Sequence, residues 1–321
     1  MIRILANDGI EESALQSLTE KGIEVITTKV SQENLVEYIN TEQVRALLVR
    51  SATKVRKDVF DGCPHLSFVG RGGVGMDNID VEYGRSLGRT VTNTPSSSTR
   101  SVAELVFAHL FSVGRFLHHS NRVMPSEGQT RFNELKKSYA SAFELKGKTL
   151  GIIGFGRIGQ EVAQMAMGLG MKVLPYDPWV KSAEIEVDFL QTGDTFTLEF
   201  ETVSLQELLA GSDAITLHVP MPSNGNALIG ATEFEQIRPG AVLINTARGG
   251  IVDEMALLAA LDSGRLGFAC LDVFENEPSP KAELLNHPKI SVSPHVGGST
   301  AEAQTRIGEE LVELVLNHFN I

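Results

Sequence analysis

Cysteine is nearly missing from this chain: Cys63 and Cys270 are the only two in 321 residues. Two cysteines so far apart exclude a disulfide framework and a thiolate metal site, and they read as small buried hydrophobes in a reducing compartment. No Asp, His or Glu cluster has metal-ligand spacing either, so no metal is expected. Positive charge is also scarce. The formal net charge of -12 argues against nucleic acid as a partner, and it requires any site for an anion to be locally basic. No uninterrupted apolar run is long enough to cross a membrane. The chain starts directly on a strand-like Ile2-Arg3-Ile4-Leu5 where a signal peptide would stand, so the expected compartment is cytoplasmic. What remains, 42% hydrophobic and 21% charged residues, is an ordinary globular composition on a length that suits two domains.

Strands and helices alternate through the first hundred residues. Ile2–Ala6, Val25–Thr28, Ala46–Val49, Phe68-Val69 and Thr90–Thr92 read as strands, with helices at Glu12–Lys21 and Gln32–Ile39. That alternation predicts a parallel sheet covered on both faces. A long helix is expected from about Ser101 to His119, with Ser98, Thr99 or Ser101 as N-cap and Glu104 as capping-box partner. Its histidines, His109, His118 and His119, read as interface or packing residues. Asn121–Gly147 reads as polar and irregular. A second unit follows, with apolar runs at Ala214–Val219, Ala241–Asn245, Phe268–Asp272 and Ile290–Ser293 of parallel-strand character and a helix at Glu254–Ser263. One segment breaks the rhythm. Asp188–Val203, with period-two Phe196-Thr197-Leu198-Glu199-Phe200-Glu201, reads as an inserted β-hairpin. The last helical pattern, Thr300–Phe319, has no sheet of its own there and is expected to return to the first unit. The fold expectation is therefore α/β, with two Rossmann-like doubly wound parallel-sheet domains and a cleft between them. Residues 1–98 and 296–321 would form one domain and 99–295 the other.

The densest signal is Gly154-Phe155-Gly156-Arg157-Ile158-Gly159, a G-x-G-x-x-G. An apolar run, Thr149–Ile153, precedes it and a helical pattern follows. A second apolar run, Met171–Tyr176, then ends at Asp177. Strand, glycine turn, helix, strand and terminal acid together form the dinucleotide-binding fingerprint. The glycines let backbone N–H groups approach a pyrophosphate on the positive end of the helix. Asp177 would accept from the ribose hydroxyls and repel a 2′-phosphate, which favours NAD over NADP. His218 and Val219, ending the next strand, are placed beside the adenine.

Three strand ends supply a catalytic set. Arg248 leaves the strand Ala241–Asn245; its guanidinium can grip both oxygens of a carboxylate and cannot lose its charge. Asp272 ends the run Phe268–Asp272 and Glu277 follows it, and His295 follows Ile290–Ser293. Oxidation of an alcohol beside NAD needs a base for the hydroxyl proton, and a neutral histidine oriented by a carboxylate is suited to it.

With these residues in view, the chain resembles the D-isomer-specific 2-hydroxyacid dehydrogenases over nearly its whole length. The resemblance runs through Val49–Val55, Val69–Asp80, Asn93-Thr94-Pro95, Leu145–Gly151, the glycine turn, Ala247–Glu254 and Pro294-His295. It implies an NAD-dependent enzyme in which Arg248 binds the substrate carboxylate, Glu277 supports the acid/base His295, and Asp272 meets the nicotinamide carboxamide. Gly154, Gly156, Arg157, Ile158, Gly159, Asp177, His218, Val219, Thr246 and Gly298 would hold NAD. Val74 and Gly75 would cradle the carboxylate through their backbone, and Arg50, Ser51 and Arg71, with Lys54 nearby, would take a phosphate. The implied partner is a small phosphorylated 2-hydroxy acid. A homodimer is implied through the helix Ser101–His119, on the face of Val102, Leu105, Val106, Phe107 and Leu110. No C-terminal regulatory domain is expected. Two rivals stay open: a sister reductase of unphosphorylated 2-keto acids, and an NAD-sensing binding protein that keeps the fold.

Overall fold

The computed structural model describes residues 2–189, 192–222 and 224–321. The chain divides into two compact units, Met1–Thr99 with Gly298–Ile321, and Arg100–Gly297. The first contains β1 (Arg3–Ala6), α1 (Glu12–Glu20), β2 (Glu24–Ile26), and a short 3-10 turn leading into α2 (Leu35–Thr41). It continues with β3 (Ala46–Val49), α3 (Lys57–Gly62), β4 (Phe68–Arg71), α4 (Val81–Ser86) and β5 (Thr90–Asn93). The strands form one sheet in the order β2-β1-β3-β4-β5, all parallel. β3 is buried at every position, as a parallel strand covered on both faces must be.

The second unit contains α5 (Thr99–Gly114), α6 (Leu117–Ser138), β6 (Thr149–Ile153), α7 (Arg157–Gly168), β7 (Lys172–Tyr176), β8 (Ser182–Phe189) and β9 (Asp194–Glu201). After these come α8 (Leu205–Gly211), β10 (Ala214–Leu217), α9 (Ala231–Gln236), β11 (Ala241–Asn245), α10 (Glu254–Asp262), β12 (Leu266–Leu271), α11 (Ala282–Asn286) and β13 (Ile290–Val292). Its sheet runs β13-β12-β11-β10-β6-β7 and is parallel throughout. The last helix, α12 (Ala301–Phe319), belongs to the first unit. Its Ile307, Leu311 and Val315 share a core with Ile4, Leu48 and Phe68. Both units are Rossmann-like α/β layers. No helix among the described residues is long and apolar enough to cross a membrane.

Three expectations need correction. The single long helix is two, because Phe116 takes a left-handed backbone (φ 57) and ends the run of α5. Ser101 thus lies inside α5, and Glu104 accepts instead from Arg100 Nε at 2.8 Å. Asn121–Gly147 is not irregular: α6 runs through it to Ser138, with one non-helical residue at Arg131. The face offered for a dimer is spent within the chain. Val106, Phe107 and Leu110 pack with Leu150, Ile152 and Ile244, and Val102 is buried as well. The large exposed apolar side chains of these two helices are Phe111, Leu117, Met124 and Phe132.

The inserted hairpin exists, but its first strand begins at Ser182, ahead of the expected Asp188. Ala183, Val187 and Phe200 pack against the core that holds Val162 and Ala166 of α7, and Ile185 is part of that core. Both cysteines are buried; burial pushes the Cys63 thiol up to about 11 and Cys270 further still, which leaves both inert.

Candidate active site

The sheet order of the second unit creates the site. From β6 the chain moves outward to β7 and then returns to β10 on the other side of β6. A ligand crevice opens at such a switch point, beyond the carboxyl ends of the strands. The glycine turn follows β6, Asp177 follows β7, and His218 follows β10. Thr246 and Arg248 follow β11, Asp272 and Glu277 follow β12, and His295 follows β13.

The three glycines of the turn have three different reasons. Gly154 sits at φ +93, and a Cβ there would lie 2.5 Å from the His218 carbonyl oxygen. A Cβ on Gly159 would lie 2.1 Å from the Gly154 oxygen, so α7 packs on the turn by backbone alone. Gly156, the residue capping α7, would meet nothing within 4 Å. The open side of the turn is therefore at the helix N-terminus, where amide groups and the helix dipole favour an anion. Arg157 is exposed and Ile158 half-buried at that end.

Asp177 accepts from Phe155 N at 2.8 Å through Oδ2. Its Oδ1 accepts from Trp179 N at 2.8 Å and Val180 N at 3.2 Å. Three of roughly four acceptor positions of a carboxylate are thus taken by backbone, so Asp177 shapes the turn. His218 Nε2 lies 3.0 Å from Thr216 Oγ1; enclosure of its ring holds the pKa down to about 3, and Val219 beside it is half-buried. His218 Nδ1 and Thr246 Oγ1 are buried polar atoms with no hydrogen-bond partner among the described residues. Orphaned polar groups around an open glycine turn fit a dinucleotide, which would satisfy them.

The catalytic candidates are held by neighbours that spacing alone did not reveal. Asn245, buried at the end of β11, accepts from Ala247 N at 3.1 Å and donates to the Arg248 carbonyl at 2.8 Å. That closed turn holds the backbone at Arg248, whose Nη1 donates to the Ala247 carbonyl at 2.6 Å. Gly249 approaches Phe274 so closely that a Cβ would lie 1.9 Å from its carbonyl oxygen, joining the Arg248 loop to the Glu277 loop. The Glu277 loop is also tied to α10: Lys281 Nζ lies 2.8 Å from both Glu254 Oε2 and Glu275 Oε2, and the two acids raise its pKa well above the ordinary lysine value.

Glu277 accepts from Phe274 N at 3.0 Å through Oε1 and lies 2.7 Å from His295 Nδ1 through Oε2. A carboxylate only accepts, so the Nδ1 proton of neutral His295 points at Glu277 and Nε2 is left as a base. Asp272 is fully buried, and its carboxylate accepts from Ser293, Val296 and Gly297.

In the first unit, Arg50 and Arg71 stand at the carboxyl ends of the paired strands β3 and β4, Val49 being the register partner of Arg71. Asp8 Oδ2 accepts from Arg50 N at 2.7 Å and Thr53 N at 3.0 Å, and Asn78 donates to the carbonyls of Arg50 and Thr53. These contacts fix the loop that carries Arg50 and the exposed Ser51. No carboxylate pairs with Arg50 among the described residues. Thr94 Oγ1 accepts from Gly73 N at 2.7 Å, and Asn93 donates to the Val74 carbonyl at 2.6 Å, fixing the backbone of Val74 and Gly75. Gly298 lies in this unit, apart from the other cofactor candidates in sequence; its carbonyl accepts from Gln304. Asn7 is buried and Asp8 half-buried just past β1; nothing in their spacing along the chain marked them as these supports.

Comparison with known proteins bears on this arrangement. The family model described as D-isomer specific 2-hydroxyacid dehydrogenase, NAD binding domain, matches residues 107–297. A hydroxypyruvate reductase of Thermotoga maritima is 39% identical over 99% of this chain and 99% of its own. A D-3-phosphoglycerate dehydrogenase of Archaeoglobus fulgidus is 38% identical over 98% of this chain. This chain spans only 57% of that relative's length. The solved structure of a glyoxylate reductase from Paecilomyes thermophila superimposes with a TM-score of 0.80 at 27% identity, covering 98% of this chain and 94% of that one. With the family match lying over the unit that carries the glycine turn, the chain belongs to the D-isomer specific 2-hydroxyacid dehydrogenases and uses NAD.

Proposed function

We propose that this chain oxidises D-3-phosphoglycerate to 3-phosphohydroxypyruvate, the first step of serine biosynthesis. The observation that carries the choice of substrate is the pair Arg50 and Arg71 on adjacent strand ends, in a protein of net charge -12. Two arginines on neighbouring strand ends suit a doubly charged anion in an otherwise acidic protein. The relatives named D-3-phosphoglycerate dehydrogenase, at 37–38% identity, support the same reading.

On this reading Arg50, Ser51 and Arg71 take the phosphate and the Val74-Gly75 backbone the carboxylate. Arg248 takes the carboxylate and the C2 oxygen, and the pair His295 and Glu277 the proton. Bound NAD would supply the acceptor for the hydride that leaves C2. Gly154, Gly156, Arg157, Ile158, Gly159, Asp177, His218, Val219, Thr246, Asp272 and Gly298 form its binding set. His295 Nε2 takes the hydroxyl proton as the ketone forms and returns it in reverse. Glu277 holds the tautomer and stabilises the imidazolium. The protein works in the cytoplasm as a homodimer, through the outer side of α5 and α6, where Phe111, Leu117, Met124 and Phe132 are exposed.

A second reading, reduction of hydroxypyruvate or glyoxylate, is favoured by the full-length match to the Thermotoga hydroxypyruvate reductase. NADH formation with D-3-phosphoglycerate, D-glycerate, D-lactate and glycolate, with the keto product trapped, separates the two. Turnover concentrated on D-3-phosphoglycerate supports the first reading. Equal turnover of D-glycerate supports the second.

A further inference from the structure

His109 is buried on α5, and both of its ring nitrogens face serines: Nδ1 lies 2.9 Å from Ser291 Oγ and Nε2 lies 2.9 Å from Ser293 Oγ. Ser293 Oγ lies 2.6 Å from Asp272 Oδ1. A serine has one hydrogen to give, and the carboxylate takes it. Ser293 therefore accepts from His109 Nε2–H, and Nδ1 accepts from the Ser291 hydroxyl. Burial lowers the pKa of His109, with the Asp272 charge opposing, and a neutral imidazole with its single N–H is what this polarity requires.

The chain of bonds ends on the loop that carries His295. Asp272 Oδ1 accepts from Val296 N at 2.8 Å and Oδ2 from Gly297 N at 2.9 Å. Its backbone oxygen accepts from His295 N at 2.8 Å. His295 itself has φ +53, a left-handed conformation that a side-chain-bearing residue keeps only when its surroundings impose it. Asp272 is that surrounding, and it is placed by Ser293 and, through it, by His109.

We infer that His109 and Ser293 are positioning residues for the reaction: they fix the Asp272 carboxylate, which clamps the strained backbone of His295 and so aims its imidazole at Glu277 and the substrate hydroxyl. This rests on the assignment of His295 as the proton acceptor. His109 touches no reacting atom. Its role is mechanical, and the geometry of hydride and proton transfer is sensitive to it: a displacement of about 1 Å typically costs about 10²-fold in rate.

The test uses the full chain with NAD and D-3-phosphoglycerate or D-glycerate, whichever turns over faster. It compares wild type, Ser293→Ala, His109→Leu, His109→Gln and His295→Ala. First-turnover rate of NADH formation, KM, NADH affinity and melting temperature are measured for each. Ser293→Ala and His109→Leu are expected to slow the first turnover by roughly 10–100-fold while KM stays within about threefold. His109→Gln, whose amide can both donate and accept, is expected to recover most of the rate. Wild-type rates in Ser293→Ala and His109→Leu would overturn the inference. So would a Gln variant no better than Leu, or a loss shared equally by rate, NADH affinity and melting temperature. A His295→Ala protein as fast as wild type would overturn the underlying assignment of the base, and the inference with it. A slow His295→Ala beside unaffected His109 and Ser293 variants would sink the inference alone.

Discussion

His295 Nδ1 lies 2.7 Å from Glu277 Oε2, while Glu277 Oε1 is held by the Phe274 amide at 3.0 Å. The acid is thus anchored before it meets the histidine. This predicts distinct costs for the two residues. His295→Ala should lower kcat by about 10²–10⁴-fold through loss of the base. Glu277→Gln keeps the shape but removes the charge that stabilises the imidazolium, and should lower kcat by roughly 10²-fold or more. Neither should change NADH affinity, read by fluorescence titration. A Glu277→Gln enzyme with normal kcat would contradict the pairing.

The three glycines of the turn should separate when each is replaced by alanine. Gly154→Ala and Gly159→Ala force a Cβ to within 2.5 Å and 2.1 Å of carbonyl oxygens, so both should lower the melting temperature by several degrees. Gly156→Ala meets no protein atom within 4 Å and should leave the melting temperature unchanged. It should weaken NADH by about tenfold or more, the weight of one charge-assisted hydrogen bond. Thermal melts and NADH titrations of the three variants check this. Unchanged NADH binding in Gly156→Ala would mean that the cofactor does not use the open side of the turn.

Enclosed histidines give the protein a pH dependence of known sign. The pKa of His218 is held down to about 3 from an ordinary 6.5, and those of His109 and His118 are lowered by burial. Below pH 6.5 the unfolded chain takes up protons at these positions and the folded chain does not. Stability is therefore full above the unfolded value and falls as the pH drops from 6.5 toward 3. Urea midpoints at pH 7.5 and 5.5 should differ more in wild type than in His218→Gln. Equal differences would mean that His218 titrates normally in the fold.

The strands of both sheets were legible because a parallel strand buried on two faces must be an apolar run, as in Ala46–Val49, Ala214–Leu217 and Ala241–Asn245. The glycine turn was legible because its spacing is dictated by backbone contacts. What was missed lacks such local constraints. Helix α6 buries only His118 and Leu135, so it shows no apolar stripe; Pro125 and Gly128 add to its irregular look. Among the contacts that hold it are local pairs of Arg131 with Glu127 and Glu134. The break at Phe116 has no signal, since an aromatic residue is an uncommon bearer of positive φ. The supports of the site were hidden for a different reason. His109 and Ser293 are 184 residues apart, and Asp8 meets Thr53 across 45. Polar partners at such distances are set by topology, which one sequence does not display.

On the proposed reading Arg50 and Arg71 select a phosphorylated acid. That selection is tested most directly by kcat/KM for D-3-phosphoglycerate relative to D-glycerate, in wild type, Arg50→Ala and Arg71→Ala. A charge-assisted hydrogen bond contributes about 1.5–3 kcal/mol, so each variant should lose roughly 10–150-fold in kcat/KM for D-3-phosphoglycerate, mostly through KM. Turnover of D-glycerate should stay as it was. A wild-type enzyme that handles both acids equally, with neither arginine altering the ratio, would contradict the account and leave an NAD-dependent dehydrogenase of an unphosphorylated acid.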